Sequence, residues 1–134
     1  YRFLPMTIAE NICTTSDYDK ERLYSAFEKS GIMSKINTLD KRENTLMVSD
    51  VHKDAVDFSG GEKQKILIIR TLINRPHIIL FDEITSSLDS NSTKVFYEML
   101  NTRLSSSTVL FVSHDDVVDS AFDRVLEIDE LHAL

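Results

Sequence analysis

A chain of 134 residues with 42% hydrophobic side chains is within the size of one domain and has enough apolar material for a core. Its 22 acidic against 15 basic residues, a net charge of −7, argue against a nucleic-acid backbone or an anionic lipid surface as the main partner. The single Cys13 excludes an intrachain disulfide framework and suits a reducing compartment, the four His show no metal-ligand spacing, and no apolar run approaches the ~20 residues of a membrane span.

In chain order, Thr7-Ile8-Ala9-Glu10 is a capping box that opens a short helix. Asp19 to Ser30 carries Leu23 and Phe27 on one helical face and is stopped by Gly31. Residues 32–57 have weak periodicity and several polar turns, so short helices and loops are expected there. Ser59 with Glu62 forms a second capping box, followed by Ile66, Leu67, Ile69, Leu72 and Ile73 at helical spacing, so a helix starts at about Gly60. Gly60 and Gly61 remove the side chains that would hold an anion away from the first backbone N–H groups, where the helix dipole also favours negative charge. Taken alone, a phosphate site and an ordinary capped helix are equally open. Gln64 and Lys65, on the first turns, are expected to be solvated.

After Pro76, His77 to Phe81 is a short apolar run bounded by breakers and reads as a buried parallel strand over 77–82. Asp82 and Glu83 lie at its carboxyl end, where the chain turns and two carboxylates can address one crevice. Nucleotide hydrolysis needs one carboxylate near Mg2+ and a second group to orient or deprotonate water, while two solvated acids ending a strand are the plainer alternative. The pattern continues as helix at about 91–104, strand 108–113, helix 115–121 and strand 124–128, the alternation of a parallel α/β sheet.

Phe58-Ser59-Gly60-Gly61-Glu62-Lys63-Gln64-Lys65 resembles the signature motif of ABC transporter nucleotide-binding domains, usually Leu-Ser-Gly-Gly followed by Gln or Glu. Ile78 to Glu83 resembles Walker B with its catalytic glutamate, Thr85-Ser86-Ser87-Leu88-Asp89 the D-loop, and His114 in Phe111-Val112-Ser113-His114 the switch histidine. The opening from Phe3 to Ile12 is similar to the segment after the Q-loop. The resemblance runs over nearly the whole chain, with residues 13–57 matched by pattern only. It implies a partial P-loop NTPase fold of the ABC ATPase type, with a mostly helical subdomain over 1–75 and a parallel-sheet tail over 76–134.

By the same resemblance, Ser59, Gly60, Gly61 and Glu62 would meet the γ-phosphate of an ATP held by a second nucleotide-binding domain in a head-to-tail dimer. Asp82 would hold Mg2+ through water, Glu83 would polarise the attacking water, His114 would touch the γ-phosphate in cis, and Ser87 and Asp89 would couple the subunits. A transmembrane domain would be the further partner, at the cytoplasmic face of a membrane, with export favoured by the Thr7-to-Ile12 opening. The phosphate loop Gly-x-x-x-x-Gly-Lys followed by Ser or Thr is missing, because the only glycines are Gly31, Gly60 and Gly61. The expectation is therefore a fragment, inactive alone, whose strand 77–82 lacks a neighbour and leaves Ile78, Leu80 and Phe81 uncovered. A non-catalytic interaction or regulatory fragment, or a soluble ABC-type ATPase of DNA repair or translation, is the alternative.

Overall fold

The computed structural model of the chain describes residues 3–47, 55–103, 106–113 and 122–126. Thr7 opens helix α1 (Ile8–Cys13) with a full capping box: its Oγ1 accepts from the Glu10 N–H at 3.2 Å, and Glu10 Oε2 accepts from the Thr7 N–H at 3.0 Å. Asn11 is buried in this helix because its side chain is satisfied on both sides. Its Oδ1 accepts from the Leu4 N–H at 2.8 Å and its Nδ2 donates to the Leu4 and Thr7 carbonyls at 3.0 Å. Asp19 caps α2 (Lys20–Lys29) by accepting from the Arg22 N–H, and Gly31 ends it at φ 71°, a left-handed value that glycine adopts at little cost. The weakly periodic stretch that follows holds α3 (Met33–Asn37) and a 3-10 turn at Arg42–Asn44, and isolated bridges pair Thr7 with Leu46 and Met47 with Val56.

Helix α4 (Gly60–Asn74) is shared by two apolar clusters. Ile66 and Ile69 join Ile8, Leu23, Phe27 and Phe58 in the first; Ile68 joins Ile79, Phe81, Ile84, Phe96 and Leu100 in the second. Strands β1 (Ile78–Asp82) and β2 (Thr108–Val112) pair in parallel, with Leu80 opposite Leu110 and Asp82 opposite Val112, and α5 (Ser90–Arg103) makes the crossover between them. Phe96 of α5, 1% exposed, meets Phe81 edge-on at 5.3 Å and Phe111 at 6.0 Å, which fixes α5 over one face of the pair.

The other face corrects the expectation of a fully buried strand. Ile78 and Leu80 are 77% and 65% exposed, and Leu110 and Val112 stand beside them. Alternate residues point to opposite faces, so Ile79 and Phe81 reach the second cluster while no described element covers the rest. Phe81, expected among the uncovered residues, is buried. Residues 124–126 form no strand, contrary to the strand expected over 124–128: Phe122 stacks on Phe111 at 5.3 Å, and Val125 and Leu126 then leave the cluster and are exposed. The expected helix 115–121 lies outside the described residues. No helix among the described residues is long and apolar enough to cross a membrane.

Candidate functional site

The amino end of α4 is built by the reciprocal cap that the sequence announces. Glu62 Oε2 accepts from the Ser59 N–H at 2.8 Å, and Ser59 Oγ accepts from the Glu62 N–H at 3.3 Å. Two backbone donors are thereby satisfied within the turn. The Ser59 hydroxyl keeps its own proton to donate, and the N–H groups of Gly60 and Gly61 belong to the first helical turn, where no intrahelical acceptor exists. Phe58, just before the cap, is 2% exposed in the first cluster, with the Lys35 ammonium 5.9 Å from its ring centroid, so the turn enters α4 from a fixed anchor.

Ser87, in the segment that resembles the D-loop, lies against this turn. A Cβ on Gly61 would stand 2.8 Å from the Ser87 carbonyl oxygen, and one on Gly60 would stand 3.9 Å from Ser87 Oγ. Glycine at 61 is thus required by a close backbone approach. Asp89 caps α5: its Oδ1 accepts from the Ser92 N–H at 2.8 Å and its Oδ2 from the Ser92 hydroxyl at 2.6 Å. Those two hydrogen bonds, helped by the Lys65 ammonium 3.7 Å away, pull the Asp89 carboxyl down to about 2.

Asp82 and Glu83 are both exposed at the carboxyl end of β1. The Glu83 N–H still donates to the Val112 carbonyl at 2.9 Å, but its φ is 49°, so the strand alternation ends at this residue. From Glu83 the chain passes to the D-loop through two tight turns, Ser86 N–H to Glu83 O at 3.2 Å and Leu88 N–H to Thr85 O at 3.0 Å, over buried Ile84 and Thr85. The structure therefore brings Gly60 and Gly61 to Ser87, and ties Ser87 to Glu83 by a short, internally bonded segment. His114 lies outside the described residues.

Two residues expected in solvent are not there. Gln64 is 1% exposed and the Lys65 side chain 18%, because α4 is covered from both clusters and its first turns sit under the segment after β1. The signal was present in the spacing: Gln64 and Lys65 precede Ile68 by four and three residues, one helical turn along the same side.

The sequence matches the ABC transporter family over residues 2–86. The chain belongs to that family. Among curated relatives it is 38% identical over 110 residues to the leptomycin B resistance protein pmd1 of Schizosaccharomyces pombe, a stretch covering 81% of this chain and 8% of that protein. It is 35% identical over 115 residues to the lipoprotein-releasing system ATP-binding protein LolD of Buchnera aphidicola, 84% of this chain and 46% of the relative. A bacterial Atm1-family ABC exporter solved with ATP bound superposes with a TM-score of 0.67 at 29% identity, covering 84% of this chain and 19% of the exporter chain. The chain thus spans less than half the length of each of these relatives.

Proposed function

We propose that this chain is part of an ATP-hydrolysing nucleotide-binding domain that powers transport, with residues 1–75 forming its helical subdomain and 76–134 the tail of its α/β core. The observation that carries this is the seating of the Gly60–Gly61 turn on Ser87, which puts the signature turn and the D-loop on one surface. There the Ser59 hydroxyl and the Gly60 and Gly61 N–H groups would bind the γ-phosphate of an ATP held by a second domain, facing head to tail, with Glu62 holding the turn in shape. Glu83 would orient the attacking water and take its proton, and His114 would contact the γ-phosphate from the same chain. Ser87 and Asp89 would carry the contact between the two domains. Closing and reopening of that pair would drive a membrane-spanning partner from the cytoplasmic face of the membrane, in the direction of export. A net charge of −7 argues against a nucleic-acid backbone as the main partner.

Asp82 and Glu83 are hard oxygen donors at an exposed strand end, the donor type that Mg2+ takes. Asp82 would hold the ion through water, with phosphate oxygens supplying its other ligands; among the described residues no group of three or more His, Cys, Asp or Glu converges on a cation. Bound there, Mg2+ would neutralise phosphate charge.

In the full-length product, Glu83→Gln should keep ATP binding and lower turnover by roughly 10²-fold or more, the scale of a lost acid–base group. An unchanged steady-state ATPase rate would remove Glu83 from the mechanism. The same surface would serve one other reading, an interaction or regulatory module that offers only the signature turn. A full-length product that binds no Mg-ATP in titration calorimetry would decide for it.

A further inference from the structure

Lys65 occupies a junction that the motif residues do not explain. Its Nζ lies 3.7 Å from Asp89 Oδ2, and a methyl built on Gly31 would stand 3.8 Å from the same Nζ. The ammonium therefore sits between the turn that ends α2 and the cap that begins α5, while its stem leaves α4 one turn after Gly61. With only 18% of its side chain exposed, Lys65 has given up most of its solvent for this position. The crevice around it is lined by Ser30, Leu88, Ser92, Val95 and Phe96, so residues of both apolar clusters' supporting helices meet at one charge.

We propose that Lys65 is a positioning residue that locks the signature turn to the D-loop, so that Ser59–Gly61 and Ser86–Asp89 meet a nucleotide as one body. The proposal rests on the nucleotide-binding function above. Gly61 and Ser87 supply the close steric contact; by itself that contact resists approach and does nothing against separation. The Lys65–Asp89 attraction acts in the opposite sense and closes the pair. Because Asp89 also caps α5, drawing on it moves the helix start and the loop together. The neighbouring Lys63 points elsewhere and pairs with Asp57 at 3.0 Å.

The test compares Lys65→Met, which keeps most of the apolar stem, with Lys65→Arg, in the full-length product. Amide hydrogen exchange without nucleotide should rise about twofold to fivefold at Glu62 and Lys63, whose N–H groups are bonded to Ser59, and at Leu88, bonded to the Thr85 carbonyl, in Lys65→Met, the range for loss of a partly exposed ion pair, with α1 unchanged. Lys65→Arg should restore the parent pattern. In steady-state kinetics the KM for ATP should rise by a similar factor in Lys65→Met with kcat within twofold, and the parent's KM should be more salt-sensitive than the variant's. Unchanged exchange at both segments overturns the lock, as does a variant that loses kcat, KM and thermal stability together without rescue by Arg. Glu83→Gln run in parallel separates the two ideas: turnover lost there with Lys65→Met unaltered defeats the lock alone, whereas full activity in Glu83→Gln defeats the hydrolytic role assigned to that residue.

Discussion

Alanine at the two signature glycines should have opposite effects on stability. Neither Gly60 nor Gly61 has a positive φ, so alanine fits the helical backbone at both, and the comparison isolates space. At 61 the new Cβ would lie 2.8 Å from the Ser87 oxygen, some 0.6 Å inside the 3.4 Å where ordinary contact begins; at 60 the nearest atom, Ser87 Oγ, is 3.9 Å away. The obstacle at 61 is backbone and cannot rotate aside. Forcing a methyl into packed structure costs about 1–3 kcal/mol, and replacing glycine within a helix returns about 0.5–1 kcal/mol. Gly61→Ala should therefore destabilise by about 0.5–2 kcal/mol, while Gly60→Ala should be neutral or stabilising by up to about 1 kcal/mol. For a chain of this size the two melting temperatures should differ by roughly 2–11 °C. Urea titration followed by circular dichroism checks this, with the midpoint moving and the m-value constant. Equal midpoints for the two variants would refute the close approach of Ser87 to α4.

Glu43 is 2% exposed, accepts from the Tyr24 hydroxyl and pairs with Lys20 at 2.7 Å; Glu43→Ala strands the tyrosine and should cost about 1–3 kcal/mol by urea titration. Burial pushes the Glu43 carboxyl up, but Lys20 and Tyr24 outweigh it and leave the pKa lowered. A lowered pKa means a contribution fully present above the unfolded value of about 4.3 and lost as pH falls through the folded one, so Glu43→Gln should flatten the acid limb of the stability curve. On the sheet, Phe81→Ala should cost about 3–5 kcal/mol; the exposed Ile78, Leu80, Leu110 and Val112 form an apolar face on which copies of the chain should associate, so Leu80→Ser should stay within about 0.5 kcal/mol and shift sedimentation toward the monomer. Unaltered association of Leu80→Ser would show that this face does not hold copies together.

What the sequence made legible was local chemistry. Thr7 with Glu10, Asp19, Gly31, and Ser59 with Glu62 each set a helix end through one side chain or one dihedral angle, and each stands where the pattern puts it. Strands β1 and β2 were readable from short apolar runs between breakers. Burial was less so, because a run such as Ile78-Ile79-Leu80-Phe81 is apolar on both faces whatever covers it, and here only Ile79 and Phe81 are covered. Gln64 and Lys65 were missed for a related reason: polarity suggests solvent, whereas α4 is enclosed by two clusters whose existence depends on residues far along the chain. At the site, the motif residues were legible one by one. Their meeting was not, since nothing in the spacing of Gly61 and Ser87 announces that a carbonyl will fill the place of a missing Cβ.

That meeting separates two glycines that the motif presents as a pair. Gly61 is explained by the fold alone, because the Ser87 carbonyl occupies the space a side chain would take. Gly60 is not, because a methyl there would find only ordinary contact at 3.9 Å. The fold leaves position 60 free to vary, so a requirement for glycine at this position would have to come from what approaches the helix end from outside. An anion that needs the first N–H groups supplies such a requirement, since a Cβ beside them would hold a phosphate off. Gly60→Ala in the full-length product should accordingly keep or raise the melting temperature while weakening the proposed ATP-driven association with a second nucleotide-binding domain. Association of parent strength, measured by light scattering with Mg-ATP, would show that position 60 does not face the phosphate.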